Sequence, residues 1–237
     1  MRVSSKVTFI FCATVAMTSG LNSSAYADPV IYVSGSYGSQ ADSPFNGSSF
    51  SYFFLENFED ALLNTPGVSA SGGHAIGLDP YVDSVEGGSS GHSWYSGFTE
   101  TSFTFNFDAD ALGALPTHVG LVWTDIGWNS PTPYYGPVTF EAFGPLGASL
   151  GSLGPYWLGD GMDTGQNGED RFFGAIYDGG ISSIRIGTNN KDWEVDHLQY
   201  GAASVPEPST LLMVGVGALA MFRKRFNVRK LRRGATD

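Results

Sequence analysis

Polar and apolar positions alternate most regularly at Thr101-Ser-Phe-Thr-Phe-Asn-Phe107. Phe103, Phe105 and Phe107 fall on one face and short polar side chains on the other, which predicts a half-buried strand. The same period of two predicts strands at Val30–Val33, Ser49–Glu56, Val119–Thr124, Val138–Phe143, Arg171–Tyr177, Ile181–Gly187 and Trp193–Gly201, separated by clusters of Gly, Pro and Asp. Gly35–Ser48 reads as a loop, Phe58–Asn64 as a turn or two of helix stopped by Pro66-Gly67, and Ser69–Gly97 as one long polar segment. No stretch is long enough for a helix that would cross between parallel strands. The pattern therefore predicts an all-β fold, an antiparallel β-sandwich or jelly roll, in a single domain at 49–201, preceded by an N-terminal strand and loop at 28–48.

Both ends break the pattern. Arg2 and Lys6, an apolar run from Val7 to Met17 and the small-residue site Ala25-Tyr26-Ala27 have the layout of a cleaved signal peptide, 1–27, with cleavage after Ala27. Cys12, the only cysteine, would leave with it, so the passenger has no disulfide and no thiolate ligand. Near the other end Val205-Pro206-Glu207-Pro208-Ser209-Thr210 is followed by twelve apolar or small residues, Leu211–Phe222, and then by a basic tail, 223–233. A twelve-residue helix covers about 18 Å of the roughly 30 Å hydrocarbon core, short for a permanent anchor. The tail's cations favour the cytoplasmic side and so place the Pro-Glu-Pro tripeptide outside the inner membrane. Between Asp28 and Ser204, 21 carboxylates face only Arg171, Arg185 and Lys191. A field of that sign repels nucleic acid and anionic lipid.

The arrangement in 202–237 closely resembles the PEP-CTERM sorting signal of Gram-negative bacteria. That resemblance implies export, a transient stop in the inner membrane through the C-terminal hydrophobic helix, processing by an exosortase after signal peptidase has acted, and delivery to the cell surface or the extracellular polysaccharide matrix. A second resemblance covers most of 49–201. Phe54-Leu-Glu-Asn-Phe-Glu-Asp60, Thr117-His-Val-Gly-Leu-Val-Trp-Thr-Asp125, Glu169-Asp-Arg-Phe-Phe-Gly174 and Trp193-Glu-Val-Asp-His-Leu-Gln-Tyr-Gly201 are similar to a passenger type whose layout is that of galactose-binding-like jelly rolls. In that layout an acidic first strand lies beside a final strand containing Val-Asp-X-Leu. The implied neighbours are Glu56, Glu59 or Asp60 and Asp196, a carboxylate cluster suited to a structural calcium ion.

The chemistry of the passenger is less specific. No nucleophile elbow, zincin helix or phosphate loop occurs, and no spacing singles out a pair of catalytic carboxylates, so a non-enzymatic protein is expected. His74, His92, His118 and His197 are far apart and lack ligand spacing. Gly159–Asp170 superficially suggests a calcium loop but fails the EF-hand order. Trp94, Trp128, Tyr135 and Trp157 lie beside Gly, Pro or Ser, where loops would expose their rings for stacking on sugars, whereas Trp123 and Trp193 fit a core. Three functions stay open at this point: a glycan-binding module, a purely structural matrix protein and a carbohydrate-active enzyme.

Overall fold

The computed structural model describes residues 26–77, 82–86, 91–125, 137–158, 167–189 and 191–204. It consists of two antiparallel sheets. The larger runs in the order β1 (Val30–Ser36), β10 (Arg171–Ile176), β7 (His118–Trp123), β12 (Glu194–Ala203), β5 (His92–Tyr95) and β4 (His74–Gly77), with β2 (Phe50–Glu56) also paired to β12. The smaller runs β3 (Val68–Ala70), β6 (Ser102–Phe107), β11 (Ser183–Gly187), β8 (Val138–Phe143) and β9 (Ser149–Tyr156). Ten-residue β12 is the hub. One of its edges pairs with β7, while β5 and β2 divide the other, β5 at its start and β2 from Leu198 onward. The neighbouring of acidic opening strand and final strand is thus present, with Glu56 opposite Leu198.

The alternating phenylalanines of β6 supply the small sheet's share of the core, and Phe103, Phe105 and Phe107 are all buried. Across the interface Phe103 stacks on Trp193 at 4.7 Å and Phe107 meets Tyr200 at 5.1 Å. Trp123 joins Trp193 at 5.0 Å, so both strand tryptophans are core, as their positions predict.

The large sheet is covered on its other face as well. Tyr37 and Phe45, from the segment between β1 and β2, pack with Val85, Val122 and Phe172 in a second apolar cluster. Phe45 meets Phe172 edge-on at 5.2 Å. The expected loop at Gly35–Ser48 is therefore a lid on the sheet, and with it β7, β10 and β12 are buried on both faces. The helical turn expected at Phe58–Asn64 is absent, because Phe58 and Ala61 take left-handed φ values of 56° and 63° in a chain of turns. A single α-helical turn among the described residues, α1 (Ala109–Leu112), is capped by Asp108, whose carboxylate accepts from the N–H groups of Asp110 and Ala111. Among the described residues no helix is long and apolar enough to cross a membrane.

Candidate functional site

The outer face of the large sheet carries polar side chains under its lid. Between Asp196 and Gln199 the pairing of β12 with β7 advances three residues against two, from Val122 to Gly120, which is the count of a β-bulge. The extra residue is His197, held at φ 44°, a left-handed conformation uncommon for a residue with a Cβ. In a regular strand Asp196 and His197 would face opposite sides. The bulge instead brings both into contact with the short segment Val82–Glu86. Val85 N–H donates to Asp196 Oδ2 at 2.9 Å, and His197 Nε2 lies 2.7 Å from Glu86 Oε1.

The tautomer follows from the orientation of the Gln199 amide. Gln199 Nε2–H donates to the Tyr37 hydroxyl oxygen at 2.9 Å, and Ser43 donates to Gln199 Oε1 at 2.5 Å. Burial holds the Tyr37 phenol above its ordinary value, so its O–H is intact and points to His197 Nδ1, 3.0 Å away. Nδ1 then accepts, and Nε2–H donates to Glu86. Asp196 is fully buried. Burial pushes its carboxyl well above the usual range, the charge of Glu86 adds to this, and the N–H groups of Val85 and His197 oppose it. Burial is the largest single influence on Glu86 and raises it, but the hydrogen bond and electrostatic attraction of His197, with hydrogen bonds from its own backbone and from Asp196, together hold this carboxyl below its usual value.

At the start of β12, Glu194 is buried beside Ser93, whose hydroxyl donates to it at 2.6 Å, and Asp83 N–H adds a second bond at 2.9 Å. Burial pushes this carboxyl up to about 7. Asp125, Glu169 and Asp170 are also buried, at the adjoining ends of β7 and β10.

The carboxylates expected to share calcium do not converge on one point. Glu56 turns both oxygens to backbone N–H groups, Oε1 to Phe58 and Oε2 to Asn64 and Thr65. Asp60 is exposed and caps Leu62 and Asn64. Glu59 accepts from His92 N–H at 2.8 Å and bears on Asp196 only through its charge. The group of potential ligands that does assemble is Glu86, Asp196 and His197. Trp94 also departs from expectation: it lies in β5 at 8 % exposure, between Phe58 and Phe105, with its N–H on Gly72 O, so no ring face is offered to a sugar. Trp157, just after β9, is exposed. Trp128, Tyr135, Ala25 and the motif Val205–Thr210 lie outside the described residues, while Ala27 is described.

An open groove of about 680 Å³ runs along the side of the sandwich where β3 and β4 form the free edges of the two sheets. Leu62, Ser69, Ser71, His74 and the edge of Trp94 are among its lining residues, and the Glu100 carboxylate lies against Gly72 and accepts from Gly73 N–H at 2.9 Å.

Residues 204–225 match the family model of the PEP-CTERM protein-sorting motif. No curated protein and no solved structure matches the chain. The motif indicates a protein that an exosortase processes and that is exported to the cell surface or the extracellular space.

Proposed function

We propose that the passenger is a non-catalytic module that holds a polysaccharide of the extracellular matrix in the groove between β3 and β4. It reaches that matrix in a Gram-negative cell after signal peptidase cleaves behind Ala27 and the segment 211–222 has paused it in the inner membrane. The observation that carries the binding reading is the composition of the groove. Its walls combine hydroxyls and an imidazole with small apolar side chains, suited to sugar hydroxyls and C–H faces, and the Glu100 carboxylate beside Gly72 is tied to Gly73 N–H. Hydrolysis of a glycosidic bond needs two opposed carboxyl groups, and the buried acids Glu194 and Asp196 are instead bonded to backbone and side chains on the far face of the large sheet, while buried Glu56 is held by backbone N–H groups.

Exposed Ser69 on edge strand β3 gives the test. Ser69→Trp would fill the groove from its rim without entering the core. The full chain is expected to co-sediment with extracellular polysaccharide, and the variant to be lost from the pellet. Equal retention of the two would refute the groove, and release of reducing ends from the polysaccharide would refute the non-catalytic reading.

A further inference from the structure

We propose that Glu86, Asp196 and His197 bind a divalent transition-metal ion, for which zinc is the probe. Each offers one ligand atom, and the three atoms lie within 4.8 Å of one another. Tetrahedral zinc, with bonds of about 2.0–2.2 Å, needs its ligands roughly 3.5 Å apart. The set is therefore nearly closed, and the change required is for Glu86 Oε1 to draw back from His197 by about 1 Å. Glu86 can do so: its side chain is 38 % exposed, whereas His197 and Asp196 are fixed in β12. Two carboxylates with one imidazole suit zinc and its neighbours better than calcium, which prefers oxygen alone.

Two further observations point the same way. The first is Ser84, in the middle of the segment that supplies Glu86. Its hydroxyl is wholly buried and has no hydrogen-bond partner among the described residues. It sits against Gly91, where a Cβ would strike it and would lie 3.3 Å from Glu59 Oε1. The segment that carries Glu86 thus holds a buried hydroxyl left unmet on the side of Gly91 and Glu59, two residues before the proposed ligand.

The second is that the hydrogen-bond chain behind the imidazole is reversible. Turning the Gln199 amide lets His197 Nδ1–H donate to the Tyr37 oxygen, Tyr37 O–H to Gln199 Oε1, and Gln199 N–H to Ser43 Oγ, over the same contacts. In that direction Nε2 presents a lone pair towards Glu86 and Asp196. Nδ1–H keeps the partner that orients a metal-bound imidazole.

The test is to strip the full chain with EDTA, remove the chelator and titrate it with ZnCl2 and, separately, CaCl2 in a calorimeter. One Zn2+ per chain is expected, with no comparable binding of Ca2+. Glu86→Gln keeps an oxygen for His197 Nε2–H, so the fold should persist, yet zinc affinity should fall at least tenfold. Asp60→Asn should leave it unchanged. In wild type, zinc should shift the imidazole 15N resonance of His197 Nε2 and leave His74, His92 and His118 in place. Failure of wild type to bind zinc, unchanged affinity in Glu86→Gln, or a shift at another histidine would each overturn the site.

Discussion

The carboxylate of Glu56 accepts three backbone hydrogen bonds, from Phe58, Asn64 and Thr65, at 3.0–3.1 Å. It is buried, and the chain from Asn57 to Thr65 turns around it without forming a helix. Its role is to hold a loop, whereas exposed Asp60 on the same loop bonds only near neighbours. Truncating Glu56 leaves donors unmet in a largely closed space, which costs more than losing an average hydrogen bond. Glu56→Ala should therefore destabilise by about 3 kcal/mol, and Asp60→Ala by less than about 1 kcal/mol. Chemical-denaturation midpoints of the two variants check this, and equal losses would mean that Glu56 does not organise the loop. A carboxylate at this position is visible in the sequence. Its partners are not, because they are main-chain groups whose direction depends on the left-handed residues Phe58 and Ala61.

Strands with strict alternation, β6 and β8 above all, were legible because one face had to be apolar and the other polar. Four strands were not. β3, β4 and β5 are three or four residues long; β3 straddles the start of the segment that reads as polar from Ser69 to Gly97 and the other two lie within it, where burial comes from the partner strand more than from pattern. β9, Ser149-Leu-Gly-Ser-Leu-Gly-Pro-Tyr156, carries Gly and Pro, and its place at the sheet's edge is what tolerates Pro155. The bulge in β12 was only partly hidden. Val195-Asp-His-Leu198 sets two polar residues between two apolar ones, a break in the period of two that marks the slip but not its partner, for Glu86 is 111 positions away from His197 in the chain. A specific requirement of the doubly covered sheet can be tested at Gly120 in β7. A Cβ there would meet the ring of Phe172 and lie 2.7 Å from the Phe173 carbonyl oxygen. Backbone cannot move aside as a side chain can, so Gly120→Ala should cost about 1–3 kcal/mol, the range for overpacking. An unchanged melting midpoint would show that β7 and β10 are less tightly matched than their register implies.

At the scale of the whole molecule, a passenger with 21 carboxylates and three basic residues has buried several of its acids where two sheets and a lid leave little water. Glu194 makes the consequence measurable. Its folded value of about 7 lies above the 4.5 of an ordinary glutamate, so between those pH values the folded chain holds a proton that the unfolded chain has released. Stability from this group is complete below pH 4.5 and is lost as pH rises towards 7. A shift of that size corresponds to about 3 kcal/mol. Asp196, also raised by burial, acts in the same direction. Glu86, held below its usual value, acts in the opposite direction, but only at pH values under its unfolded pKa. With EDTA present to remove any cation, the domain should therefore be more stable at pH 5 than at pH 8, the reverse of a protein stabilised by ion-paired carboxylates. Urea midpoints at the two pH values give the measurement. Repulsion among surface carboxylates alone would give a similar trend at acid pH, and Glu194→Gln separates the causes. It keeps an acceptor for Asp83 N–H and removes the titration, so the difference between pH 5 and pH 8 should shrink by about 3 kcal/mol, or by most of it. A difference of the same size in that variant would assign the effect to the molecule's overall charge, and a midpoint that rises from pH 5 to pH 8 in wild type would contradict the buried, protonated state of Glu194.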